Sequence, residues 1–296
     1  MASLLQDIQL DETSYVELLR KIIGVSEKVQ NAPSLGLIPQ ENLVSDIVLA
    51  ELQPYTKENG GYLTIERVEF VAGRGNVIIT YQHPDFADSE KTVAFVGSHM
   101  DVVPANPEGW ERDPFTLTVE GDKLYGRGTT DCLGHVALMT ELFKELAQKK
   151  VRMETKLIAK VHSYVDELNA NITSLEGKRG PVSKYTLPAE NWNGKLELTF
   201  ENQFFEGIAC SLESVGYKSL HAAIANVLGE AKPFSISGSL PLVRDLQRAG
   251  LDLTLTGFGK SSVYHGDNEY CQLSDMKNAI KILARTVANV EAANSK

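Results

Sequence analysis

Histidine and aspartate side chains recur in short segments of this 296-residue chain that follow predicted strands. The apolar run 92–96 is typical of a buried strand, and His99 and Asp101 come just after it. Side chains two residues apart on an extended segment point the same way, so these two share a face. A neutral imidazole is a good zinc ligand, and a nearby carboxylate can fix its tautomer and orientation. Taken alone, the pair also fits an ordinary hydrogen-bonded histidine at a strand end.

Two further segments carry residues of the same kinds. Asp131 lies in the glycine-rich stretch 126–134, just before a predicted helix, where an N-cap aspartate is the alternative. His265 lies in the loop 257–270, a position that core packing does not explain. With His99 they form a set of two histidines and one carboxylate, all in loops at strand ends. Nitrogen and oxygen ligands of this kind suit zinc or a related divalent metal.

The elements that must position these residues alternate along the chain. Apolar periodicity predicts helices at 13–23, 41–52, 219–228, 242–249 and 273–290. Strands are predicted at 62–71, 76–81, around 92–99, and at 116–120, 123–125, 195–200, 207–212, 234–236 and 251–256. This alternation of helices and strands predicts an α/β fold.

The composition excludes several classes of function. A formal net charge of −10 argues against a nucleic-acid partner, which needs a basic surface. No secretory signal and no apolar stretch of membrane-spanning length is visible, so we expect no membrane partner. The cysteines Cys132, Cys210 and Cys271 are odd in number and far apart, which favours a reducing compartment. The sequence therefore predicts a cytoplasmic protein.

Three ordered motifs give the chain a family resemblance. They are SHMDVVP at 98–104, YGRGTTD at 125–131 and HGDNEY at 265–270. Together they resemble motifs of the acetylornithine deacetylase, succinyl-diaminopimelate desuccinylase and aminoacylase family. Segments 180–185 and 237–244 are most similar to the acetylornithine deacetylase branch. The resemblance implies a zinc-peptidase-like mixed sheet flanked by helices, with an inserted α+β lid domain.

The resemblance also implies a role for each candidate site residue. His99 would bind one of two zinc ions, His265 the other, and Asp131 would bridge both, with cobalt as an alternative metal. Asp101 would act in catalysis by holding His99. Arg244 and Asn268 fall where the family places groups near the substrate, a small N-acyl amino acid. A homodimer is a further implication.

The sequence departs from the family at one motif. The family carries a Glu-Glu pair at the end of the strand that follows the helix after the bridging aspartate; its first glutamate is the general base and its second a zinc ligand. No Glu-Glu dipeptide occurs in this chain. The segment 135–176 lacks glycine and proline, which predicts one long helix from 134 or 135 to beyond 164, with no strand between 148 and 157. We therefore predict an internal deletion with its seam near 150–155, and a lost strand whose former neighbours are left unpaired.

This interpretation divides the chain into domains. Residues 1–150 and 214–296 would form a discontinuous catalytic-type α/β domain, and residues 151–213 a remnant of the lid or dimerisation domain.

Two functions remain open at this point. The first is a metal-dependent hydrolase of N-acyl amino acids, with acetylornithine as the favoured substrate and arginine biosynthesis as the context. The second is a catalytically inactive shortened homologue, acting as a binding or dimerisation partner, or a splice or gene-model product. Four acidic residues are candidates to replace the lost base, with Glu154 first among them: Glu141, Glu145, Glu154 and Asp166.

Overall fold

The computed structural model describes residues 2–162, 210–233 and 243–294. Its helices are α1 (Ala2–Gln6), α2 (Glu12–Ile23), α3 (Asn42–Leu52), α4 (Leu133–Gln148), α5 (Val215–Leu228), α6 (Val243–Arg248) and α7 (Leu273–Ala293). Its strands are β1 (Leu63–Glu69), β2 (Gly75–Tyr81), β3 (Thr92–His99), β4 (Thr118–Glu120), β5 (Lys123–Tyr125), β6 (Lys156–His162) and β7 (Tyr270–Gln272). The predicted α/β fold is confirmed.

The strands form two sheets that differ in size. The larger is mixed, in the order β1-β2-β6-β3, with β3 parallel to β6 and the other pairs antiparallel. The smaller is antiparallel, in the order β4-β5-β7. Helices α2 and α4 pack together and α4 contacts β2 and β3, so the main core lies between these helices and the large sheet. Helix α5 packs on α7 through buried Leu220, Ala223 and Ile282.

Local signals in the sequence explain helix α2 well. Asp11 accepts a hydrogen bond from the backbone N–H of Ser14 and caps α2, as an N-cap residue does. The side chains of Leu18, Leu19 and Ile22 are fully buried along one face. No helix in the described ranges is long and apolar enough to cross a membrane.

The predicted long helix after residue 134 is wrong. Helix α4 ends at Gln148, where the N–H of Lys150 donates to Ala147 O and the N–H of Val151 donates to Leu146 O. This pair of bonds is a Schellman stop, with Lys150 at a φ of 48° in the position that glycine usually takes. A lysine there gives no stop signal, so the sequence does not predict this helix end.

Strand β6 corrects the predicted seam. It starts at Lys156, inside the interval where no strand was expected, and it lies between β2 and β3 in the large sheet. Leu157 pairs with Tyr81 on one side and Val93 on the other. Leu157 and Ala159 are both fully buried, while Ile158 between them is partly exposed, which is the two-residue period of a strand. The strand after α4 is therefore retained, and neither the seam at 150–155 nor the loss of its pairing holds.

Other predicted strands have different outcomes. Residues 251–256 are described and form no strand, because no strand in the described ranges pairs with them. Among the described residues no strand pairs with the outer edge of β3, and Val96 is 46% exposed in this strand. The predicted strands 195–200 and 234–236 lie outside the described residues. So does the first half of 207–212, while its described residues 210–212 form no strand. The division into domains stays a prediction, although β6 shares its sheet with strands of residues 63–99.

Replacing Leu157 tests the central position of β6. Leu157→Ala should lower the free energy of unfolding by about 2–5 kcal/mol, because it opens a cavity in a packed core. Val96→Ala on the exposed edge of β3 should change it by only about 0.5 kcal/mol. Urea denaturation followed by circular dichroism measures both values. Equal effects would mean that β6 does not occupy the interior of the sheet.

Candidate metal centre

The end of β3 and two loops bring the predicted metal ligands to one end of the large sheet. His99 is the last residue of β3, and Asp131 lies between β5 and α4. His265 belongs to the irregular segment that precedes β7 and has a φ of 61°. The C-terminal ends of strands in α/β sheets are where binding sites commonly form.

Asp131 sits between the two histidines. Its Oδ1 lies 3.0 Å from His99 Nε2, and its Oδ2 lies 2.7 Å from His265 Nε2. Each carboxylate oxygen therefore faces a different imidazole. The side chains of His99 and Asp131 are 22% and 28% exposed, whereas that of His265 is 50% exposed, so the cluster opens to solvent on the His265 side.

Asp101 contacts the other nitrogen of His99. His99 Nδ1 lies 2.9 Å from the Asp101 backbone carbonyl and 3.4 Å from its Oδ1. Asn31 donates to Asp101 Oδ2 at 2.8 Å, while the buried Oδ1 accepts no hydrogen bond from any described residue. A proton on Nδ1 shared with the carbonyl leaves the Nε2 lone pair pointing at Asp131, the tautomer that a metal ligand needs.

The electrostatics of the cluster favour a positive partner for Asp131. Burial favours neutral His99, but the negative charges of Cys132, Asp101 and Asp131 outweigh it and raise the pKa of His99 well above its ordinary value. Burial likewise opposes ionisation of Asp131, yet the imidazoles of His99 and His265 lower the pKa of Asp131 below its ordinary value. The proton on His99 thus occupies the place of a cation. A metal would displace it, so metal affinity should rise with pH.

The donor set fits a divalent metal. Two imidazole Nε2 atoms flank the two oxygens of one carboxylate, which is the chemistry of a zinc ligand set with a shared aspartate. Each metal would take two protein ligands from this set, whereas a catalytic zinc usually has three. The predicted roles of His99, Asp131 and His265 as ligands stay predictions.

Cys132 is a neighbour that the sequence analysis did not place in the site. Ligand atoms of His99, Asp131 and Cys132 all lie within 4.8 Å of one another. The backbone N–H of His99 donates to Cys132 Sγ at 2.9 Å. Burial would raise the pKa of this thiol, but the imidazoles of His99 and His135 bring it to about 7. Only its position next to Asp131 in the chain could have singled it out.

The predicted substrate residues are placed only in part. Asn268 is half-buried, adopts a φ of 57°, and accepts a hydrogen bond from the backbone N–H of Glu111 through its Oδ1. Arg244 belongs to α6, but its side chain lies outside the described part of the structure. Contact of either residue with a substrate stays a prediction.

The candidates for a substitute base have partners of their own. These pairs are Glu141 with Ser14 and Lys144, Glu145 with Lys149, and Glu154 with Lys91. Burial also raises the pKa of Glu141, which lies on the buried face of α4. Asp166 lies outside the described residues.

Comparisons with known proteins agree with this fold. Residues 95–162 match the family described as Peptidase family M20/M25/M40, and the match ends at the last residue of β6. The acetylornithine deacetylase of Arabidopsis thaliana is 33% identical over 430 residues, covering 95% of this chain and 96% of the relative. That of Dictyostelium discoideum is also 33% identical, covering 96% of this chain and 98% of the relative.

Solved structures share the fold. Human carnosine dipeptidase 1 superposes with a TM-score of 0.68 at 13% identity, covering 98% of both chains. An M20 family metallo-carboxypeptidase from Sulfolobus solfataricus gives 0.64 at 13% identity, covering 96% of this chain and all of that one.

The family match and the relatives place the chain in the class of metallo-hydrolases. Within that class, the chain belongs to peptidase family M20/M25/M40. Its similarity to acetylornithine deacetylases runs over nearly its whole length.

The alignments also confirm the internal deletion. An alignment of 430 residues cannot be filled by a chain of 296, so at least 134 of its positions lie opposite gaps in this chain. Since the alignment covers 95% of this chain and 96% of the relative, the gaps fall inside it.

Proposed function

We propose that this chain is a metal-dependent amidohydrolase of N-acyl amino acids, with N-acetylornithine as its substrate. The observation that carries the proposal is the Asp131 carboxylate held between His99 and His265, in a chain that is 33% identical to acetylornithine deacetylases over most of its length. Zinc is the proposed metal, with cobalt as an alternative, and the cytoplasm the proposed location.

Each residue of the site has a defined part in this mechanism. His99, Asp131 and His265 would hold the metal, which supplies a Lewis acid for the acyl carbonyl and lowers the pKa of a bound water. The Asp101 carbonyl keeps the proton of His99 on Nδ1, 2.9 Å away, so that Nε2 is available as a ligand. The exposed face of His265 leaves an open path for a small substrate.

The chain lacks the group that should take a proton from the water. The family's general base is the first residue of a Glu-Glu pair that this sequence does not contain. Loss of a general base costs about 10²–10⁴-fold in rate. We therefore propose that turnover is metal-dependent but slow.

Release of ornithine by the purified, zinc-loaded chain tests this proposal. Slow hydrolysis of N-acetylornithine should be lost in His99→Ala and on removal of zinc by a chelator. His83→Ala is the matched control, because His83 is a buried histidine whose Nδ1 accepts from the backbone of Asp85. Hydrolysis that survives His99→Ala would reject the proposed centre. Turnover equal to that of a full-length relative would show that another residue acts as the base.

A second candidate function follows from the missing Glu-Glu pair. A chain that binds metal through two ligands per ion and has no base fits an inactive homologue that binds or dimerises with a full-length relative. Metal binding without any ornithine release, together with a homodimer or a mixed dimer in light scattering, would favour this alternative. A monomer that hydrolyses N-acetylornithine would exclude it.

A further inference from the structure

Glu269 is a buried carboxylate that accepts hydrogen bonds from the loop carrying Asp131. It is 0% exposed, although it lies in the same motif as exposed His265. Its Oε1 accepts from the backbone N–H groups of Thr130 and Asp131, both at 2.9 Å. Its Oε2 accepts from Arg127 Nη1 at 2.8 Å and from the backbone N–H of Gly128 at 3.1 Å. Four donors thus converge on a single side chain.

These bonds join the two loops of the site. The backbone carbonyl of Glu269 also accepts from the N–H of Gly126 at 3.0 Å, and Thr130 Oγ1 donates to the carbonyl of Tyr270 at 2.8 Å. The loop of Asp131 is therefore bonded directly to the segment 265–270, which carries both His265 and Glu269. Successive backbone N–H groups around an anion form a concave nest, and here the anion is part of the protein itself.

The burial of Glu269 excludes it as a metal ligand and as a general base. Its carboxylate already has one cation and three backbone donors, and its side chain is 1% exposed. It can therefore neither reach a metal nor exchange protons with water as the missing base would. Its negative charge is balanced by the equally buried guanidinium of Arg127, a pairing that is costly to break from one side.

We propose that Glu269 is the positioning residue of the metal centre: by holding the peptide of Asp131, it aims one carboxylate oxygen at His99 and the other at His265. This inference rests on the proposed metal-dependent function. Groups that orient metal ligands through hydrogen bonds typically change metal affinity by about 10–100-fold when they are lost.

Cobalt(II) binding to the full chain, followed by visible absorption, tests the inference. Glu269→Gln places an amide NH₂ where one oxygen now accepts from two backbone or side-chain donors, so the loop must shift. We expect its affinity for cobalt(II) to fall by about 10–100-fold and its absorption bands to change, because Asp131 no longer faces both imidazoles. Thermal unfolding without metal measures the stability of Glu269→Gln and of the unmodified chain.

Glu41→Gln is the matched control. Glu41 is also 0% exposed and pairs with buried Arg74 at 2.6 Å. Arg74 lies in the connection between β1 and β2. That connection lies at the edge of the large sheet opposite β3, which ends with His99. Glu41→Gln should lower the unfolding temperature as Glu269→Gln does, yet keep the affinity and spectrum of cobalt(II).

Three results would overturn the inference. Wild-type affinity and spectrum in Glu269→Gln would show that Glu269 does not position Asp131. An equal loss of affinity in Glu41→Gln would show that the effect reflects stability alone. If the unmodified chain binds cobalt(II) no better than His99→Ala does, the proposed metal centre is overturned together with this inference.

Discussion

Inserting the segment that a full-length relative carries after its equivalent of β6 should raise turnover of N-acetylornithine by about 10²–10⁴-fold. The gain is expected because, as the family resemblance implies, the insert would bring a Glu-Glu pair that supplies a general base and a further metal ligand. Strand β6 ends at His162, whose backbone is paired in register with His99 on the parallel strand β3. A residue placed directly after β6 therefore arrives at the sheet edge that bears the candidate ligands.

The insertion needs a control that separates chemistry from folding. The same segment with both glutamates replaced by glutamine should restore the lid without the base and should leave kcat near that of the original chain. Comparison of kcat under saturating zinc measures the difference. Equal activation by both inserts would mean that the lid alone limits turnover and that the missing carboxylates do not.

Asp131→Asn should lower zinc affinity by at least about 100-fold, more than the loss of an orienting group typically costs. Both imidazoles now face oxygens of this one carboxylate, at 3.0 and 2.7 Å. Asparagine keeps a single oxygen and turns an NH₂ group toward the other histidine, so the two imidazoles no longer share a charged ligand. Competition with a chromophoric chelator measures the affinity of each variant.

The pH dependence of zinc binding gives a second measure on the same proteins. The pKa of His99 is raised well above its ordinary value, so zinc must displace a proton near neutral pH, and affinity should increase as pH rises. Asp113→Asn is the control, because Asp113 is exposed and its carboxylate accepts hydrogen bonds from the neighbouring Phe115 and Thr116. Unchanged zinc affinity in Asp131→Asn would remove Asp131 from the centre.

The sequence predicts the helices and the site loops better than it predicts the middle of the chain. Helix α2 has both a cap at Asp11 and an apolar stripe, so local signals suffice there. Strand β6 is different, since helix formers such as Leu157 and Ala159 are drawn into a strand by pairing with β2 and β3. Propensity along the chain does not report such pairing, and tertiary contacts override it.

The same limit applies to the site. Motif order led to His99, Asp131 and His265, which the structure brings together. Nothing in the sequence near Glu269 predicts its burial, because its hydrogen-bond donors come from a loop about 140 residues earlier in the chain. A glutamate in a polar loop is usually solvated, and only the folded arrangement of the two loops shows otherwise.

Anomalous scattering at the zinc absorption edge, from a crystal of the zinc-loaded chain, tests the metal centre most directly. The account predicts zinc peaks at the Asp131 carboxylate, one on the His99 side and one on the His265 side, and no such peaks in Asp131→Asn. Zinc bound elsewhere in the chain, with none between Asp131 and either histidine, would contradict it.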